Sequence, residues 1–107
     1  MINKILSTLY YMKVEIKPSD LKTKKYTAIF YDDKNKKIKT THFGNKGSSD
    51  YTINKNDKTK MNYLKRHEKR ENWNDPMTAG ALSRWILWNK PTLKASINDF
   101  KKRFKLK

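Results

Sequence analysis

A chain of 107 residues has room for one small core and no second domain. Twenty-six Lys and Arg against ten Asp and Glu leave a formal charge of +16, a field that favours polyanions, nucleic acid first and an anionic membrane surface second. The absence of cysteine excludes disulfides and thiolate metal sites, and no apolar run approaches the ~20 residues of a membrane-spanning helix.

In chain order, Met1–Tyr11 places Ile2, Ile5, Leu6 and Leu9 at helical spacing without a small-residue cleavage site. It is expected to be an N-terminal arm or short amphipathic helix rather than a leader, and residues 12–107 a single basic domain. Met12–Lys17 alternates apolar and charged residues, the period of a half-buried strand. Lys25–Tyr31 is rich in aromatic and β-branched residues, as a central strand flanked on both faces is. The turn formers Asp32–Lys36 lead into a third strand over Lys37–Phe43, so a three-stranded antiparallel meander is expected.

Gly44–Asp50 reads as the longest loop. From Asp57 to Asn72 the pattern predicts a basic helix with a thin apolar stripe through Met61 and Leu64. Asp75 and Pro76 predict the start of a second helix, with Asp75 as its cap and Pro76 in its first position. Pro91 ends it near Trp88 or Asn89. Apolar residues on more than one face make this the central, mostly buried helix. A third helix is expected over Thr92–Phe104, where Leu93, Ile97, Phe100 and Phe104 form one stripe. The fold class expected is therefore α+β, an N-terminal three-stranded antiparallel sheet followed by three helices.

Several stretches taken together resemble a known set. They are Thr41-His42-Phe43-Gly44 with Gly47 and Asp50-Tyr51-Thr52, then Arg66-His67 with Glu71 and Trp73, then Pro76 to Gly80, Ser83 to Leu93, and Ser96-Ile97. This order is similar to that of a family of small, basic, uncharacterised proteins encoded by nucleocytoplasmic large (giant) DNA viruses and some tailed phages. The resemblance covers about residues 24–106 and implies a viral source; it brings no activity and no catalytic residues.

The basic residues themselves indicate the chemistry. Twenty-two of the 26 cations are Lys and the C-terminal half holds 15 of them against 5 acids, so compact charges that track phosphates dominate over forks that read base edges. Coding in an A+T-rich genome would enrich Lys as well, yet the charge acts whatever its origin. The candidate nucleic-acid contacts are Lys46 in the glycine loop, Lys58, Lys60, Lys65, Arg66, Lys69 and Arg70 on the first helix, Trp73 after it, and Lys101, Lys102, Arg103 and Lys105 at the C-terminal end. Trp85 and Trp88 are assigned to the core, Arg84 to an ion pair or a row of carbonyls.

The glycine loop lacks Gly-Lys-Ser/Thr and is not a P-loop. No spacing among Asp50, Asp57, Glu68 and Asp75 forms a metal motif, and both histidines are assigned structural or solvated roles, so no catalytic residue, metal or cofactor is expected. The function expected is sequence-independent binding of the phosphate backbone in genome packaging or organisation, with DNA ahead of RNA as partner. The alternative is a structural virion component or adaptor whose basic surface meets an acidic viral protein; a nuclease using His67 or Asp50 is the third reading. The location expected is the virion or the viral factory in the host cytoplasm, not secretion.

Overall fold

The computed structural model describes residues 12–107; the N-terminal arm expected at residues 1–11 lies outside them. Three strands, β1 (Lys13–Pro18), β2 (Lys24–Tyr31) and β3 (Lys37–Asn45), form an antiparallel sheet in the order β1-β2-β3. Four helices follow: α1 (Tyr51–Asn54), α2 (Asp57–His67), α3 (Ala79–Leu82), which continues as a π-helical turn over Ser83–Leu87, and α4 (Leu93–Arg103).

The sheet obeys the alternation read from the sequence. Val14 pairs with Phe30, Ile16 with Ala28, and Tyr26 with Phe43, and these side chains belong to one core with residues of the helices. As expected of a central strand, β2 is buried on both faces, for Thr27 and Ile29 are buried as well as Ala28 and Phe30. Val14 N–H donates to the Lys107 carbonyl and Lys107 N–H to that of Met12. The C-terminal residue thereby occupies part of the outer edge of β1, which would otherwise present unpaired backbone groups.

The central helix is where expected but begins later. Thr78, not Asp75, is its cap, its hydroxyl accepting from Ala81 N–H at 3.1 Å. The Asp75 carboxylate instead accepts from Met77 N–H at 3.0 Å, so Asp75-Pro76-Met77 is a turn. Two candidate caps three residues apart compete, and Thr41 Oγ1 donating to the Met77 carbonyl at 2.7 Å anchors that turn to β3, leaving Thr78 to start the helix. From Ser83 the helix widens, with Trp88 N–H donating to the Ser83 carbonyl five residues back, as in a π-bulge. Leu82, Ile86, Leu87 and Trp88 are all buried there.

Two further expectations need correction. The helix expected to reach Asn72 stops at His67; beyond Leu64 the apolar stripe ends, and the chain turns so that Glu71 and Trp73 reach α3. Its inward residue is Tyr63, 8 % exposed, whereas Met61 is 56 % exposed. Lys60, Tyr63, Leu64 and His67 share the inward stripe at i, i+3, i+4 and i+7. The stripe of α4 holds, with Phe100 fully buried and Leu93, Ile97 and Phe104 packed around it.

Gly44 is where β3 packs against the π-helical turn. Its φ is +80°, and a Cβ there would stand 2.8 Å from Leu87 Cδ1 and 3.2 Å from Lys25 Cβ. Gly44→Ala therefore meets both backbone strain and a clash. A loss of about 1–3 kcal/mol is expected, read as a lower urea midpoint at unchanged slope; an unchanged midpoint would mean that Leu87 yields freely.

Candidate nucleic-acid interface

The outward side of α2 and the turn after it carries the expected cations. Lys58, Lys65, Arg66, Lys69 and Arg70 are all exposed. The ion pairs among the described residues are Lys25–Asp50 and Arg103–Asp99, with His67 Nδ1 facing Glu71 at 3.9 Å, so none of these five has a carboxylate partner there. At the C-terminal end Lys102 and Lys105 are exposed and Lys101 is half-buried. Lys46 is exposed in the loop after β3, its backbone N–H held by the Thr23 carbonyl.

Three candidates are instead tied into the fold. Lys60 Nζ donates to the Asn89 carbonyl at 2.7 Å and lies 4.7 Å from the centre of the Tyr51 ring. Arg103 pairs with Asp99 at 3.3 Å and stacks on Trp85 at 3.8 Å. Trp73 is half-buried; its carbonyl accepts from Trp85 Nε1 at 2.8 Å and its ring faces the Arg84 guanidinium at 5.5 Å.

Arg84 is the centre of this arrangement. It lies 4.2 Å from the Trp85 ring and donates from Nη1 to the Trp88 carbonyl at 2.7 Å. The ion pair that was the first expectation is not among the contacts of the described residues; a helix-end carbonyl and indole faces take its place. Trp85, assigned to the core, is half-buried between Arg84 and Arg103, while Trp88 is buried as expected.

Electrostatics link α2 to α4 across this stack. Burial lowers the Lys60 ammonium from its ordinary value, and Arg84 and Lys90 add to that against Asp57. Burial likewise lowers Arg84, with Arg103 adding to it. Lys60, Arg84, Lys90 and Arg103 therefore lie close enough for their like charges to be felt between α2, the end of the central helix and α4. Asp99 tempers it: burial opposes its ionisation, but the Asn89 amide and Arg103 outweigh this and hold its carboxyl below the usual range.

Beside α2 the fold also builds a cleft of about 360 Å³ that sequence reasoning did not foresee. Residues from β2, β3, α2 and α3 meet in it, among them Lys25, Gly44, Tyr63, Arg66, His67 and Ser83. Tyr63 stacks between His67 at 4.3 Å and Trp88 at 4.5 Å, and burial, then the nearby Glu71 carboxylate, push its hydroxyl up to about 12. Glu71 lies against the first turn of α3, where a Cβ on Gly80 would overlap its carboxylate. The only sequence signal for Tyr63 was its place in the 60-63-64-67 stripe.

His42 stands apart from these groups. Its Nδ1 is 2.8 Å from Thr27 Oγ1 and 3.4 Å from Ser19 Oγ, a structural arrangement on the sheet. Among the described residues no three His, Asp or Glu side chains are grouped to hold a metal ion, and no helix is long and apolar enough to cross a membrane.

The chain matches no curated protein and no solved structure. A family model does match residues 14–67, from β1 to the end of α2. That is just over half of the 107 residues, and it takes in the sheet and the basic helix with Lys58, Lys60, Lys65 and Arg66; the chain belongs to a family of unknown function, DUF5754.

Proposed function

We propose that this protein binds nucleic acid through the phosphate backbone without strong sequence preference, DNA ahead of RNA, in packaging or organising a viral genome. The observation that carries the reading is the row Lys58, Lys65, Arg66, Lys69 and Arg70, exposed and without carboxylate partners among the described residues. Cations without a carboxylate partner can each neutralise a phosphate and release its counterion, which supplies affinity that base contacts need not provide. Lys outnumbers Arg 22 to 4 in the chain, which suits contact with phosphates more than bidentate readout of bases.

The viral source rests on the resemblance of the motifs from Thr41 to Ile97, and with it the location in the virion or the viral factory of the host cytoplasm. The test is binding to duplex DNA across a salt series. Affinity is expected to fall with a log–log slope of about −0.9 per phosphate neutralised, nearly equal for unrelated sequences. Affinity that is flat with salt sinks the reading. Association with an acidic capsid protein that survives nuclease treatment, in the absence of DNA binding, would replace it with the adaptor role.

A further inference from the structure

The cleft beside α2 carries an inference of its own. Its volume of about 360 Å³ falls at the lower end of the ~300–1,000 Å³ range of small-molecule sites, and its wall is arranged for an anion. Of the two carboxylates on it, Asp50 is fully engaged by the protein and Glu71 only loosely. Asp50 accepts from Lys25 Nζ at 2.5 Å, from Thr52 N–H at 2.9 Å and from Thr52 Oγ1 at 2.5 Å, and Glu71 faces His67 Nδ1 at 3.9 Å.

Two cations on the same wall are not answered. Lys24 from β2 and Arg66 from α2 line the cleft, and neither is in an ion pair with a described residue. Tyr63 supplies a third group. The residue is more than nine-tenths buried and lines the cleft, while its hydroxyl, which has no hydrogen bond among the described residues, stays open to solvent and is available to a ligand. With its proton held up to about 12, that hydroxyl is a donor at any physiological pH.

We propose that this cleft seats a phosphate monoester, with Arg66 and Lys24 as charge partners and the Tyr63 hydroxyl as hydrogen-bond donor. Charged donors of this kind suit phosphate oxygens, and Arg offers them two N–H groups in one plane. The ligand is recognised by charge rather than by base stacking, because Tyr63 and Trp88 stack on each other at 8° between their planes and the other face of Tyr63 is covered by His67. The monoester is the end of a strand or a mononucleotide; the two share this chemistry. The seat goes beyond the backbone-binding reading and does not require it.

The experiment is calorimetric titration of the full chain with inorganic phosphate, a 5′-mononucleotide, and one short single strand bearing either a 5′-phosphate or a 5′-hydroxyl. Saturable binding of phosphate or mononucleotide is expected. Arg66→Gln and Tyr63→Phe should each weaken it about tenfold, the scale of one hydrogen bond to a charged group. Glu71→Gln should tighten it, since the anion then meets one negative charge fewer. Thermal melting checks that each variant folds.

Tighter binding of the 5′-phosphorylated strand than of its hydroxyl twin assigns the seat to strand ends; equal strand binding with saturable mononucleotide assigns it to nucleotides. No saturable binding of any phosphate probe overturns the proposal, as do folded Arg66→Gln and Tyr63→Phe variants that bind unchanged. Salt-sensitive duplex binding without a preference for phosphorylated ends or for phosphate would leave the surface reading standing and this one refuted.

Discussion

Asp50→Ala is expected to cost about 3–5 kcal/mol, the scale seen when one partner of a buried ion pair is removed and the other is left uncompensated. Asp50 is 2 % exposed and the Lys25 side chain 12 %, so water does little to replace the lost carboxylate. The same residue caps α1 through Thr52 N–H, a contribution of about 1 kcal/mol by itself. For a domain whose total stability is of order 5–15 kcal/mol, this approaches global unfolding. Thermal melting followed by circular dichroism is the measurement, and a fall of at least 10 °C, at about 4 °C or more per kcal/mol, is the expected result.

The double variant Lys25→Met/Asp50→Asn separates the causes. It leaves no charge behind and keeps a capping oxygen, so it should recover most of the loss, because a buried pair is often near neutral against apolar replacement. A single Asp50→Ala variant within about 1 kcal/mol of the parent, a typical capping loss, would show that the Lys25 ammonium reaches water without help. The pair matters beyond stability, for it ties the loop before α1 to β2 and so forms one wall of the cleft.

Reversal of Lys58, Lys65, Lys69 and Arg70 to glutamate is expected to have the largest effect on binding. Net charge falls from +16 by eight. If each of the four meets one phosphate, the salt slope loses about 3.6, and affinity near 0.1 M salt drops by at least ~100-fold. Lys60 is left in place because it holds the Asn89 carbonyl, and Arg66 because it lines the cleft. All four reversed positions are exposed, so the circular dichroism spectrum should not change.

A control with the same net charge decides between a surface and a mere excess of charge. Lys22, Lys34, Lys36 and Lys39 are exposed in the sheet and its turns, and none of them lines the cleft beside α2. Reversing these four should leave duplex affinity within a few-fold of the parent. Equal losses in both variants would mean that charge acts at a distance and that α2 is no specific interface.

Much of this protein was legible in its residues. Alternation from Met12 to Lys17 and the β-branched run to Tyr31 specify strands because side chains on a strand change face at every residue, a property of the backbone alone. The stripe from Leu93 to Phe104 likewise specifies α4.

What local pattern could not decide depended on contacts across long separations. Asp75 and Thr78 are both good caps, and only the Met77 carbonyl meeting Thr41, 36 residues away, places the helix start. Met61 and Tyr63 are both apolar enough to point inward, and the stack with Trp88 selects Tyr63. Lys58 and Lys60 look alike in sequence, yet one is exposed and the other bonds a carbonyl 29 residues on. Charge and period are properties of a stretch and can be read from it; which cation is free, and which residues share a cleft, follow from where the chain returns to itself.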